Sequence, residues 1–429
     1  MPRHATDRRR VRMLTAGAFG ALAVVTLVLG HRFSTGQRVD ATVAVTAVVL
    51  TVMAFSVGAP GRRYDGLPLA TGRVIAVIPA FNENPRALFR TIVSLLNGTR
   101  PPDEIHVVDD GSDVVLPPLA HPSVFWYRTE NGGKRRAQAH ALRRVQGADF
   151  VLTVDSDCTV ERDALAHLLR AMSDPRVQAA TGLPLARNPR TWLARVIDLE
   201  IASICLTYRV ARSMLGSLTT CSGALSLYRA GVVLDNLEEY ASDHKGSGDD
   251  RRLTHYAMLR GHVVSVAEAV VHTDMPATVR TLYRQRVRWS SSHWRYAFWE
   301  VSHLPFGPML WTCYNQVLAV IVPLALAWAL LAAPLLGHGV HWKFLVYWTL
   351  LGWFLNLRYA VARPHMRAAD RWLIWLLGTP MHTVLHLTVV RPAMIHALFT
   401  LRSATWGTRT ATKVHGRYRA RRPGYRLAV

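Results

Sequence analysis

Two apolar runs, from about Met13 to Gly30 and from Ala41 to Ala59, stand near the start of this 429-residue chain. Three more, Met309 to Leu336, Trp342 to Ala362 and Trp372 to Leu401, stand near its end. A helix needs roughly 20 predominantly apolar residues to cross the hydrocarbon core of a bilayer, and each run is near or above that length. The segment between them must then fold as a soluble domain flanked by membrane helices. Charge supports this division. Lys and Arg outnumber Asp and Glu by 51 to 28, a net +23, although only 18% of residues are charged and half are hydrophobic. A disordered basic protein would be far poorer in apolar residues, and a soluble enzyme would carry closer to a quarter of charged ones.

The positive charge collects at the ends of the apolar runs, which orients them. Arg8, Arg9, Arg10 and Arg12 precede the first run, and Arg62 and Arg63 follow the second. A two-helix hairpin with both ends cytoplasmic is expected. A cleaved signal peptide is the competing reading of the first run, but no cleavage site is visible and a second span follows at once. Arg363 to Arg371 forms a basic loop, and the tail carries Arg402, Arg409, Lys413, Arg417, Arg419, Arg421, Arg422 and Arg426. The stretch 372–401 is broken by Pro380 and by Arg391-Pro392. A single span there would place the basic tail outside, so a re-entrant or interfacial segment is expected, with four spans elsewhere. The resulting division is a hairpin over 1–63, an α/β domain over 73–275, an interfacial helix over 276–308, spans and re-entrant segment over 309–401, and a basic tail over 402–429. Both termini and the α/β domain would lie on the cytoplasmic side of the plasma membrane.

Within the soluble part, short Val- and Ile-rich runs alternate with helical patterns. Val74 to Ile78, Ile105 to Val108 and Phe150 to Val154 read as strands; Pro85 to Asn97, Asn131 to Val145 and Arg162 to Met172 read as helices. Such alternation predicts a mostly parallel sheet, with ligands at the carboxyl ends of its strands. Carboxylates stand at all three ends: Glu83 after Pro79-Ala80, Asp109-Asp110-Gly111-Ser112, and Asp155-Ser156-Asp157. One Asp at such a place could be a helix cap. Repeated acidic clusters repel unless a cation or hydrogen-bond donors offset them. Asp-x-Asp suits a hard divalent cation that also holds a diphosphate. Asn131-Gly132-Gly133-Lys134-Arg135 adds a glycine turn, a helix start and two cations that could contact phosphate.

Further along, Gly248-Asp249-Asp250-Arg251 opens another helix, and Asp250 could take a proton from a sugar hydroxyl. Thr191 to Gly216 and Thr278 to His303 are basic, Trp-containing helical patterns of the kind that lie in a membrane interface. The second contains Gln285-Arg286-Val287-Arg288-Trp289, and Trp406-Gly407-Thr408-Arg409 follows the last apolar stretch. The four cysteines form no CxxC pair and no HExxH occurs, so zinc-ribbon, thioredoxin-like and zincin chemistry are excluded.

In this order, the motifs Asp109-Asp110-Gly111-Ser112, Gly133-Lys134-Arg135, Asp155-Ser156-Asp157, Ser222-Gly223 with Tyr228-Arg229, Gly248-Asp249-Asp250-Arg251, Gln285-x-x-Arg288-Trp289 and Trp406-Gly407-Thr408-Arg409 resemble the processive family-2 glycosyltransferases of the hyaluronan, chitin and cellulose synthase group. The Gly-Asp-Asp-Arg-x-Leu-Thr run and the compact C-terminus are most similar to bacterial membrane hyaluronan synthases. The resemblance implies a GT-A-like domain inserted between transmembrane helices. It implies that Ala80, Glu83, Asp110 and Lys134 hold uridine and diphosphate. Asp155 would contact the nucleotide and, with Asp157, the Mg²⁺ or Mn²⁺. Asp250 would be the catalytic base, with Asp249 and Arg251 in the same catalytic motif. Cys221 would lie near the donor or acceptor sugar. Trp289 would stack under the acceptor sugar beside Gln285 and Arg288, and Trp406 and Arg409 would close over the nucleotide.

The implied reaction is an inverting polymerisation of UDP-GlcNAc and UDP-GlcA into a polysaccharide that leaves through the spans. The sequence departs from the group at Ala224, where many members carry Pro. The Gln-x-x-Arg-Trp motif keeps its core but carries Arg286 and Val287 inside. The stretch 243–247 matches nothing in the group. Synthesis of chitin or chitooligosaccharides from UDP-GlcNAc alone is the second reading, and a non-catalytic basic protein binding anionic lipid is the third. The acidic strand ends argue against the third. The basic clusters fit lipid headgroups better than nucleic acid, which is not expected as a partner.

Overall fold

Every residue of the first strand, β1 (Val74–Ala80), is buried. A strand covered by helices on both faces carries a continuous apolar run rather than an alternating one. The computed structural model describes residues 56–59, 64–242, 248–337, 339 and 342–401. Most of the expected hairpin over 1–63, the stretch 243–247 and the tail from 402 lie outside the described residues.

Three helices cover the parallel half of the sheet: α1 (Pro85–Leu96), α2 (Lys134–Leu142) and α3 (Ala164–Met172). The period of two in β1 sorts its side chains. Val74, Ala76, Ile78 and Ala80 enter one core with Leu88 and Ile92 of α1 and Leu165, Leu168 and Leu169 of α3. Ile75 and Val77 enter the other core with Ala137, Ala141 and Leu142 of α2. Each fully buried Ile or Leu contributes about 1.5–3 kcal/mol by leaving water. Helix α1 starts where Asn84 accepts a hydrogen bond from the Arg86 amide at 2.9 Å, with Pro85 in the first turn.

The remaining strands are β2 (Glu104–Asp109), β3 (Val124–Arg128), β4 (Phe150–Thr153), β5 (Thr159–Val160), β6 (Val177–Ala186), β7 (Ser226–Arg229) and β8 (His262–Thr273). They make one sheet in the order β3-β2-β1-β4-β7-β6-β8-β5. The chain moves outward from β1 to β2 and β3, then returns to β4 on the opposite side of β1. This reversal opens a crevice at the carboxyl ends of β1 and β4.

The sheet is mixed rather than mostly parallel. Pairs β1–β2, β1–β4, β2–β3 and β6–β8 are parallel, whereas β4–β7, β6–β7 and β5–β8 are antiparallel. After β6 the chain stays at the carboxyl edge through the helical stretch from α4 (Trp192–Ser203) to Met214. It then passes the crevice at Cys221-Ser222-Gly223. A strand that starts at that edge must run back against the strands that end there, so β7 is antiparallel to both neighbours.

Helix α5 (Asp249–Met258) completes the crevice, and the 25-residue α6 (Val279–His303) leads towards the apolar part. Thr278 starts α6 in a reciprocal cap with Thr281. Then follow α7 (Phe306–Ala327), α8 (Trp342–Leu355), α9 (Ala368–Leu385) and α10 (Arg391–Phe399). No charged residue occurs in α7. The segment expected to be re-entrant forms one continuous helical rod, Ala368–Phe399. Among the described residues it is the one helix long and apolar enough to cross a membrane. Pro380 does not end it. The Leu376 carbonyl, which loses its helical donor to the proline, accepts from the Trp353 indole N–H at 3.0 Å.

The basic helical patterns do not place all their charge outward. Arg286 is buried in α6. Arg212 lies 4.9 Å from the Trp311 ring centroid and donates to Asn315 at 2.9 Å. Each finds partners inside the fold.

The apolar helices are fastened to the sheet by charge. Asp198 of α4 is fully buried and accepts from the Ala186 amide at 2.7 Å, at the end of β6. The same carboxylate takes the Tyr359 hydroxyl at 3.0 Å and the Arg363 guanidinium at 3.1 Å. Leu183, Leu185, Leu199, Tyr359 and Ile374 form one hydrophobic cluster at this junction. Removing one partner of a buried pair strands the other charge and costs about 3–5 kcal/mol. Asp198→Ala is therefore expected to lower the thermal unfolding midpoint of the detergent-solubilised protein sharply. An unchanged midpoint would show that the pair does not hold the junction.

Candidate active site

The crevice is built by short loops whose geometry the glycines permit. At the end of β2, Asp109 accepts the Ser112 amide at 2.9 Å and pairs with Arg128 at 2.5 Å. The next residue, Asp110, is fully buried. Its backbone amide donates to the Ala80 carbonyl at 2.8 Å, joining the ends of β1 and β2. Its two carboxylate oxygens accept the amides of Gly132 and Gly133 at 2.9 and 2.8 Å. Asp110 thereby pins the turn from which α2 starts. Gly111 has φ +73°, and a Cβ there would lie 2.6 Å from the Asn131 nitrogen, so a side chain is doubly excluded. Ahead of α1, Glu83 accepts the Ser156 hydroxyl at 2.5 Å, tying the β1 loop to the loop after β4.

The first side chain of α2 is Lys134. Its ammonium lies 2.8 Å from Asp155 and 2.7 Å from Asp249. One cation thus bridges the end of β4 and the start of α5. Burial would lower the ammonium's pKa, but the two carboxylates outweigh it and hold the pKa well above its ordinary value. Gly223 sits against this bridge, where a Cβ would lie 3.2 Å from both Asp155 and Lys134.

Asp249 and Asp250 are neighbours in sequence but differ electrostatically. Burial would raise Asp249, yet the charge of Lys134 and its hydrogen bond hold the carboxyl below the usual range. Asp250 is pushed up, first by burial and then by the adjacent charge of Asp249. Two carboxyl groups with pKa values driven apart are the usual mark of divided roles. The start of α5 is set by Gly248 at φ +106°, where a Cβ would lie 2.6 Å from Ser292 Oγ of α6.

Arg251 points away from the crevice. It donates to Glu300 at 2.6 Å, and His255 and Thr312 meet the same carboxylate at 2.9 and 3.1 Å. Glu300 is held down to about 2, because Arg251 and His255 outweigh its burial. Burial lowers His255 to about 4, so it is neutral at pH 7. One buried glutamate therefore joins α5, α6 and α7. No sequence signal marked it.

Ala80 is buried at the end of β1. Cys221 is fully buried in a hydrophobic cluster with Tyr228, and burial pushes its thiol up to about 11. The Cys221 amide donates to Thr254 Oγ1 at 2.9 Å, and that hydroxyl donates to the Asp250 carbonyl at 2.6 Å. The loop at Cys221 is thereby tied to the backbone of Asp250, and the charge of Asp250 adds to the rise of the thiol. Gln285 and Arg288 are half-buried on α6, and Trp289 keeps 43% of its surface exposed. The buried Gln285 Oε1 has no hydrogen-bond partner among the described residues. Trp406 and Arg409 lie outside the described residues.

Asp155 and Asp157 remain partly exposed in the crevice. Behind them Arg187, another residue the sequence did not single out, donates to the Asp157 carbonyl at 3.0 Å and pairs with Asp274 at 2.5 Å. Among the described residues no three His, Cys, Asp or Glu side chains gather as a metal-binding group. A divalent cation bound with a diphosphate commonly needs only one or two protein carboxylates, which Asp157 and Asp155 can supply.

Comparison with known proteins shows the family. Residues 72–292 match the family model described as "Glycosyltransferase like family 2". The chain is 33% identical over 363 residues to a hyaluronan synthase of Streptococcus pyogenes, covering 79% of this chain and 83% of that protein. It is 31% identical over 355 residues to an N-acetylglucosaminyltransferase of Rhizobium meliloti, covering 78% and 81%. Its fold is similar to that of the mannosyltransferase PcManGT from Pyrobaculum calidifontis, solved in complex with GDP-Man and Mn²⁺. The TM-score is 0.53 at 17% identity, with 91% of this chain and 98% of that chain covered. The chain belongs to the family-2 glycosyltransferases, in the group of hyaluronan synthase and its relatives.

Proposed function

We propose that this chain is a membrane-embedded, inverting and processive glycosyltransferase that polymerises UDP-GlcNAc and UDP-GlcA into a hyaluronan-like β-glycan and passes it across the plasma membrane. The observation that carries the reading is Asp250. It stands in a crevice at strand ends, its carboxyl raised and its neighbour Asp249 kept ionised by Lys134. A base poised in this way can take the proton of an acceptor hydroxyl. The acceptor oxygen then forms its bond to the anomeric carbon of the donor sugar. The bond from that carbon to the diphosphate oxygen breaks, and UDP leaves with the bonding pair. Attack opposite the leaving group inverts the anomeric configuration. Lys134, with Arg288 and Arg409, would face the negative charge that grows on the diphosphate. Asp157 and Asp155 would hold Mg²⁺ or Mn²⁺, which supplies further neutralisation of the diphosphate when bound. Glu83 and Asp110 would shape the uridine pocket, and Trp289 would carry the acceptor sugar.

The charge-free α7 and the apolar rod Ala368–Phe399 support spans beside the domain. The Arg clusters at 8–12, 62–63 and 363–371 support a cytoplasmic catalytic domain and termini. Membrane lipid is then the surrounding partner, and the growing polysaccharide the cargo. The relation to an N-acetylglucosaminyltransferase favours one alternative, a chitin or chitooligosaccharide synthase that uses UDP-GlcNAc alone.

Asp250→Asn keeps the shape of the side chain and removes the base. Transfer in membranes is expected to fall about 10²- to 10⁴-fold with UDP affinity retained, and polymer synthesis at the wild-type rate would refute the assigned role. The sugar is tested by digesting labelled product made with both donors present. Hyaluronidase is expected to degrade it, and material that resists hyaluronidase but yields to chitinase would decide for the alternative.

A further inference from the structure

Arg286 is the one cation of Gln285-Arg286-Val287-Arg288-Trp289 that lies in the interior. It is 4% exposed, and its Nη2 donates to Glu200 Oε2 at 2.6 Å. Glu200 is itself 8% exposed and sits on α4, a different part of the chain. With its charge committed to that partner, Arg286 is not available to a diphosphate. Its guanidinium carbon instead lies 4.5 Å from the centroid of the Trp289 ring, one helical turn along α6. One face of the indole rests on a fixed cation, and 43% of the residue stays open to solvent. The helix that carries Glu200 is closely packed. Beside Glu200, Leu199 packs so closely on Gly378 of α9 that a Cβ there would lie 3.3 Å from it.

We infer that Glu200 and Arg286 are positioning residues for Trp289. The glutamate holds the guanidinium, and the guanidinium holds the indole flat as a platform for the acceptor sugar. This rests on the reading of Trp289 as the acceptor platform. A cation under an aromatic face attracts it through the ring quadrupole, and more strongly where the cation is desolvated. An indole held in this way is ordered before the sugar arrives, so the acceptor need not order it on binding. The pair therefore acts on the acceptor and on how long a chain is retained, and not on the nucleotide.

The test uses the full-length protein in detergent or membranes. It measures KM for a soluble oligosaccharide acceptor, the length of the product, and the Kd of UDP. Glu200→Gln is expected to raise the acceptor KM about 3- to 30-fold and to shorten the product, with the Kd of UDP unchanged. Arg286→Lys keeps the ion pair and the fold but loses the flat cation under the ring, and it is expected to shorten the product in the same direction. Exchanging the two, Glu200→Arg with Arg286→Glu, restores the buried pair and the thermal midpoint. It places a carboxylate under the indole, so short product is expected to persist. Wild-type product length in Arg286→Lys, or its recovery in the exchanged pair, would overturn the inference and leave a purely structural ion pair. Wild-type acceptor KM and product length in Trp289→Ala would instead overturn the reading of Trp289 on which this rests.

Discussion

A single ammonium group makes the crevice possible. Asp155 follows β4 and Asp249 starts α5, and Lys134 lies within 2.8 Å of both. At about 4 Å two like charges near a protein surface repel by about 4 kcal/mol, enough to open a loop or protonate a carboxyl. The bridge removes that penalty and fixes how the helix start meets the sheet. It also sets the chemistry. With Asp249 held ionised, its charge and the burial of the site both fall on Asp250, whose carboxyl rises. Asp110 serves the same arrangement from the other side, because the amides it gathers from Gly132 and Gly133 place Lys134 at the head of α2.

The same helix start is tied to the apolar part of the molecule. Arg251, next to Asp250, reaches Glu300 of α6, and Thr312 of α7 meets the same carboxylate. Asp198 and Arg363 make a second tie, from the end of β6 to the loop before α9. Breaking either buried pair would strand a charge in the interior. The crevice and the apolar helices are thereby held in one frame.

Much of the site was legible in the sequence because its chemistry is local. Carboxylates following Val- and Ile-rich runs at Asp110 and Asp155, and an acidic pair opening a helix at Asp249, declare themselves within a few residues. The parallel half of the sheet was legible for the same reason. The rest depends on contacts distant in sequence. β7 is four residues long and takes its direction from the helical excursion before it, so the antiparallel part of the sheet could not be read. Glu300 and Glu200 are single acidic residues on helices that read as basic, and nothing near them in sequence names Arg251 or Arg286 as a partner. The basic helices were expected to face headgroups, and part of their charge turns inward because partners exist there. Pro380 reads as a break, yet the indole of Trp353 supplies the hydrogen bond the proline removes.

The division of labour between the two adjacent carboxylates is open to direct measurement through the acid limb of kcat/KM, which reports the base of the free enzyme. The base must be ionised to work, so the rate falls as pH drops through its pKa. If the charge of Asp249 helps to raise Asp250, Asp249→Asn removes that charge and the limb moves to lower pH, whatever its effect on the maximal rate. A limb that stays in place, or moves to higher pH, would contradict the poised pair and with it the assignment of Asp250 as base.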